Sequence, residues 1–158
     1  MGNDWEDSLP PEEFKKVRRQ KAELSTTEDR LPPHSTEAEQ GTLGCILLAP
    51  KECIPLCMER FEDGQKVFYE LRHQTIYDSL VTMYKSDKPI DIITLQQTLK
   101  DRNELESVGG MKYLSDLPDA TPGATNLDYY LPILVDKYLL RRISALCVET
   151  STRIHDTR

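Results

Sequence analysis

Three histidines and four cysteines are the side chains of this sequence best suited to hold a metal ion, namely His34, His73 and His155 with Cys45, Cys53, Cys57 and Cys147. A zinc centre needs such ligands in closely spaced pairs. The histidines are far apart. Cys53 and Cys57 would share one face of a helix, yet no His or second Cys pair completes a metal spacing. A helical pair of that kind also rarely meets disulfide geometry. The thiols are therefore expected to be buried packing groups in a reducing compartment. No phosphate-loop run of the form Gly-x-x-x-x-Gly-Lys-[Ser/Thr] occurs. The pair Gly109-Gly110 is followed by Met111-Lys112, which suits a hinge before a helix. No serine sits in a nucleophile motif with a histidine partner. His73 falls at the start of a helix, where a ring nitrogen can satisfy a helix-end group. Glu37 and Glu39 read as first-turn charges favourable to the dipole of their own helix. No catalytic, cofactor-binding or metal-ligating residue is assigned.

What must position these residues is a modest core. The chain has 158 residues, 38% hydrophobic and 30% charged, with a net charge of −7. Residues 31–135 hold nine Lys and Arg against sixteen Asp and Glu. Nucleic-acid affinity comes mostly from basic side chains that displace counterions, so direct DNA binding is disfavoured and a protein partner fits better. No apolar run reaches membrane length. The acidic start, Met1 to Leu9, is no signal peptide. A cytoplasmic protein is the expectation.

Residues 1–30 are too poor in apolar side chains to bury a face alone. A flexible or marginally helical extension is expected there, with a helix from about Pro11 to Leu24. The core begins at Leu31-Pro32-Pro33. Thr36 to Glu39 has the capping-box pattern, and Leu43, Ile46 and Leu47 follow at helical spacing. Gly41 and Gly44 would weaken an exposed helix, so a neighbouring helix should pack close against them. Pro50 fits the first turn of a helix over Lys51–Arg60 with Ile54, Cys57 and Met58 inward. His73, Ile76, Tyr77, Leu80, Met83 and Tyr84 predict a helix over Tyr69–Lys85, broken at Pro89. Ile90 to Ile93 reads as an extended bridge before a helix that starts at Thr94, with Gln97 completing a capping box and Leu95, Leu99 and Leu105 inward. A helix carrying Met111, Tyr113, Leu114 and Leu117 ends at Pro118. Asn126 caps the last helix, which runs to about Arg153 with a kink or restart at Pro132. Tyr129, Tyr130 and Tyr138 cluster near its start. The fold is all-α, a small bundle of about six helices.

The stripe Leu131, Val135, Leu139, Ile143, Leu146 and Ile154 outlasts what so small a bundle can cover. Its far end should project and leave Ile143, Leu146 and Ile154 uncovered. An uncovered apolar stripe predicts a partner helix.

From Leu31 to about Arg142 the chain resembles the N-terminal domain of DnaB-type replicative DNA helicases. The likeness rests on an ordered series. It opens with Pro32-Pro33-His34-Ser35-Thr36-Glu37-Ala38-Glu39-Gln40, then Leu43-Gly44, Phe68-Tyr69 and His73-Gln74-Thr75-Ile76-Tyr77. It continues through Lys88-Pro89-Ile90-Asp91-Ile92-Ile93-Thr94, Leu99, Val108-Gly109-Gly110, Tyr113-Leu114, Asn126 with Tyr130, and Lys137 to Arg141. The resemblance implies a helical bundle followed by a helical hairpin whose first arm is the last helix here, with residues 31–158 stopping inside that hairpin. It implies pairing through hairpins, a collar built as a trimer of dimers on a hexameric motor, and a surface for primase and for a helicase loader. DNA would be met only indirectly. ATP and magnesium would belong to a separate RecA-like motor domain. On this reading Val135, Leu139, Ile143, Leu146 and Ile154 form subunit contacts. A stand-alone regulator that imitates the collar, to block or load a helicase, is the alternative. Residues 1–30 lie outside the resemblance, and proline is unexpected at position 132.

Overall fold

The structure, a computed structural model, describes residues 31–156, so the expected helix over Pro11–Leu24 lies outside the described residues. Among the described residues six α-helices follow one another: α1 Thr36–Leu48, α2 Pro50–Arg60, α3 Leu71–Lys85, α4 Ile92–Asp101, α5 Gly110–Asp116 and α6 Leu127–Asp156. Short 3-10 turns cover Gly64–Val67, Pro118–Ala120 and Ala124–Asn126, and no strand occurs among the described residues. The chain is all-α, as expected.

α1 is the axis of the bundle. A run from Gly41 to Ile46 is buried on every side, which is why it shows no amphipathic stripe. It packs against α2, α3, α6 and the turns before α6. The two glycines permit this. A methyl at Gly44 would stand 2.3 Å from the Leu117 carbonyl oxygen, and one at Gly41 would stand 2.6 Å from the Tyr130 ring of α6. At Gly41 the close neighbour is a helix, as expected, whereas at Gly44 it is the turn that follows α5.

Helix starts differ from the sequence expectation in three places. Ser35 is extended and its hydroxyl accepts from the Ala38 amide at 3.3 Å, so it caps α1. Thr36 and Glu39 therefore lie inside the helix, out of capping-box register, and the Thr36 hydroxyl donates to Glu70 at 3.0 Å instead. The second capping box is Asp91 with Thr94, not Thr94 with Gln97, so α4 begins at Ile92 and shortens the extended bridge. α3 begins at Leu71 rather than Tyr69, because Phe68 and Glu70 are extended and the Tyr69 amide is bonded to Glu39.

The end of α3 is equally specific. Asp87 takes φ +51°, its amide donates to the Tyr84 carbonyl at 3.1 Å, and the Lys88 amide donates to Met83 at 3.0 Å. This paired reverse bonding satisfies the last carbonyls and turns the chain sharply.

In α2 the inward face is Cys53, Ile54 and Cys57, while Met58 lies outward and is exposed, against expectation. α6 runs through Pro132 without a restart, which corrects that part of the reading. Its missing amide leaves the Asp128 carbonyl without a helical donor.

The thiols divide. Cys45, Cys53 and Cys57 are buried, while Cys147 is exposed, contrary to the expectation for all four. Burial pushes the Cys53 thiol up to about 11 and raises Cys45 and Cys57 as well.

Candidate functional site

The last helix is anchored over its first four turns and uncovered afterwards. Leu127, Leu131 and Leu134 enter the core, with Ile133, Val135 and Tyr138 half-buried against it. Tyr130 lies over Gly41, and its hydroxyl donates to Thr121 at 3.4 Å. Arg141 forms the last clamp. Its guanidinium donates to the Pro33 carbonyl at 2.8 Å and the Val67 carbonyl at 2.7 Å, and lies over the rings of Tyr69 and Tyr138, each at 5.6 Å. Beside it, the Tyr138 hydroxyl donates to Asp63, and Arg142 reaches the same carboxylate at 3.1 Å.

Beyond this clamp every residue from 142 to 156 is exposed, a helical length of about 22 Å. Ile143 is 57% exposed, Leu146 54% and Ile154 68%, so the projecting end carries the apolar residues predicted for it. Leu139 belongs to the same exposed set. Val135 does not, because it packs partly onto the core. Sequence reasoning missed Leu140 and Val148, which are also exposed. Leu140, Ile143, Cys147, Thr150 and Ile154 recur at alternating steps of three and four, the spacing of a seam between paired helices. That spacing was readable, but the stripe through Leu131 and Val135 drew attention to the neighbouring register. The tyrosines split by role: Tyr129 faces solvent, whereas Tyr130 and Tyr138 hold the anchored half.

A second arrangement, inside the bundle, went unseen in the sequence. Glu39 and His73 are both buried, and the His73 Nδ1 lies 2.5 Å from the Glu39 carboxylate. Nε2 of the same ring is 2.6 Å from the Tyr113 hydroxyl, which also accepts from the Gln40 amide at 3.1 Å. The carboxylate further accepts from the Tyr69 amide at 2.6 Å and the Glu70 amide at 3.3 Å. Glu39 thus serves the start of α3 rather than the dipole of its own helix alone. His73 bridges side chains and satisfies no helix end, which corrects that reading, while Glu37 and Glu39 do lie in the first turn of α1.

A carboxylate can only accept, so Nδ1 carries a proton. Nε2 and the Tyr113 hydroxyl share the second bond of the ring. Burial raises the Tyr113 phenol above its ordinary value, so it keeps its proton. The chain of bonds ties α1, α3 and α5 together.

Residues 31–136 match the family described as DnaB-like helicase N terminal domain. The chain is 37% identical over 126 residues to the replicative DNA helicase DnaC of Bacillus subtilis (strain 168), covering 80% of this chain and 26% of that protein. It is 38% identical over 125 residues to the replicative DNA helicase DnaB of Mycobacterium leprae (strain TN), covering 79% of this chain and 20% of that one. It therefore spans about a quarter of the length of the curated relatives it matches. Among solved structures it is similar to the N-terminal domain of DnaB helicase from Mycobacterium tuberculosis. The TM-score is 0.70 at 36% identity, covering 80% of this chain and 83% of that one.

Proposed function

This chain belongs to the DnaB-like helicase N-terminal domain family, and on that premise we propose that it is a non-catalytic assembly module of a hexameric replicative DNA helicase, working in the cytoplasm. The observation that carries this reading is the uncovered second half of α6, with Leu139, Ile143, Leu146 and Ile154 in water. A contiguous exposed apolar face of this kind is stabilised when a second helix covers it. Two copies of this chain pair through that face, and three such pairs form a collar. Primase docks on the collar, a helicase loader is a further partner, and DNA is met only through the assembled ring. ATP and magnesium are used by a motor segment outside these residues.

Sedimentation velocity of the chain across a concentration series tests the pairing. The wild type is expected to gain mass as concentration rises. Ile143→Asp with Leu146→Asp should stay monomeric with an unchanged unfolding midpoint, because both side chains lie outside the core. A wild type that remains monomeric at high micromolar concentration refutes the pairing. Calorimetric titration with the cognate primase C-terminal domain tests the partner, and absence of heat in the same range removes it.

A further inference from the structure

Basic side chains are scarce in the bundle, yet three of the nine in residues 31–135 gather in one place. Lys51, Lys85 and Lys88 line a single cleft of about 480 Å³ between the start of α2 and the turn that leaves α3. The size falls in the usual range of ligand clefts, about 300–1,000 Å³. All three lysines are exposed, and among the described residues none of them forms an ion pair. Arg72, Arg102 and Arg142, by contrast, each have a carboxylate partner. One acid, Asp87, stands in the same wall, so three ammonium groups face one carboxylate. Like charges held together without partners repel one another.

The surface beneath the lysines is apolar and stiff. Tyr84 and Ile90 are half-buried against the core. Pro50 and Pro89 complete the lining, and each proline has a fixed φ. The bonded turn at Asp87 sets Lys88 and Pro89 beside Tyr84 and Lys85 without a flexible linker. Pro50 and Lys51 open α2, whose start has no side-chain cap, so the positive end of that helix adds to the same sign. The cleft is preformed, and ordering it on binding costs little.

We propose that this cleft binds a short acidic peptide segment of another protein. An apolar side chain of the segment rests on Tyr84 and the prolines, and flanking carboxylates meet Lys51, Lys85 and Lys88. Charge complementarity selects this occupant. A nucleic acid needs many phosphate contacts along its length, and outside the cleft the bundle is acidic. The proposal goes beyond assembly, since no residue of the cleft lies on α6.

The test is fluorescence anisotropy of the 158-residue chain with a fluorescein-labelled synthetic peptide carrying Asp and Glu on both sides of a Leu-Phe pair, at low salt. Saturable binding is expected, with a dissociation constant of order 10–100 μM, equivalent to about −5 to −7 kcal/mol. Lys85→Glu with Lys88→Glu should weaken it at least tenfold. The same peptide with Asn and Gln in place of its acids should fail to bind. Lys51→Glu, on a different element, gives an independent loss should the double variant not fold. Ile143→Asp with Leu146→Asp should bind like wild type, which separates this result from the pairing test. No binding up to millimolar peptide overturns the proposal. So does equal binding of the neutral peptide, undiminished binding to the charge-reversed chains, or displacement by a single-stranded oligonucleotide.

Discussion

A buried carboxylate needs all its partners, and Glu39 has three: the Tyr69 amide, the Glu70 amide and the His73 ring. Glu39→Ala leaves two helix-start donors and an imidazole unsatisfied, and breaking a buried charged network costs about 3–5 kcal/mol. Urea unfolding should show a loss of that order, and a loss below about 1 kcal/mol would mean that water replaces the carboxylate. Glu70 gives a pH signature. Burial alone would raise its carboxyl, but the Arg72 guanidinium at 2.5 Å, with His73 and Thr36, holds it below the ordinary carboxylate value. A group lowered on folding adds stability above its unfolded value, about 4.3, and loses it as pH falls through the folded value. The stability difference between wild type and Glu70→Gln should be full near neutrality and shrink below about pH 4. A difference that grows with acid would refute this assignment. The acidic first turn at Glu39 and the inward His73 were both legible in the sequence. Their pairing was not, because it needs the starts of α1 and α3 to meet across 34 residues, and local spacing carries no such distance.

The helices themselves were legible wherever apolar residues repeat at three and four, as in α3. Their starts were less so, because several hydroxyl and acid side chains compete to cap. Ser35 prevails over Thr36, and Asp91 over Thr94, by being the residue held extended. The packing of α1 makes a graded prediction. In Gly44→Ala the new methyl meets a backbone carbonyl that cannot rotate away, and overpacking of that kind costs about 3 kcal/mol. In Gly41→Ala it meets the Tyr130 ring, which can swing aside, so the cost should be nearer about 1 kcal/mol. Thermal unfolding of the two variants should show that order, and the reverse order would contradict the contacts described.

For the molecule as a whole, the division of α6 is the main feature. Its first half is held by Leu131, Leu134 and Arg141, Arg142 adds an exposed ion pair to Asp63, and every described residue after it is exposed. Ending the chain after Arg142 should therefore leave the unfolding free energy within about 1 kcal/mol of the original, while helix content measured by circular dichroism falls. A large loss of stability would mean that the projecting half supports the core. The length of the apolar stripe in the sequence was enough to foresee this division. Where covering stops depended on the Arg141 clamp, whose acceptors are backbone carbonyls and leave no sequence pattern.

Because the bundle seals three sulfhydryls and leaves Cys147 in water, a maleimide reagent added to the native protein has a single place to attach. That place is midway along the uncovered part of α6. A dye or nitroxide fixed there reports, by a change in emission or in spin mobility, the moment another molecule settles on the helix, with no residue altered to install it.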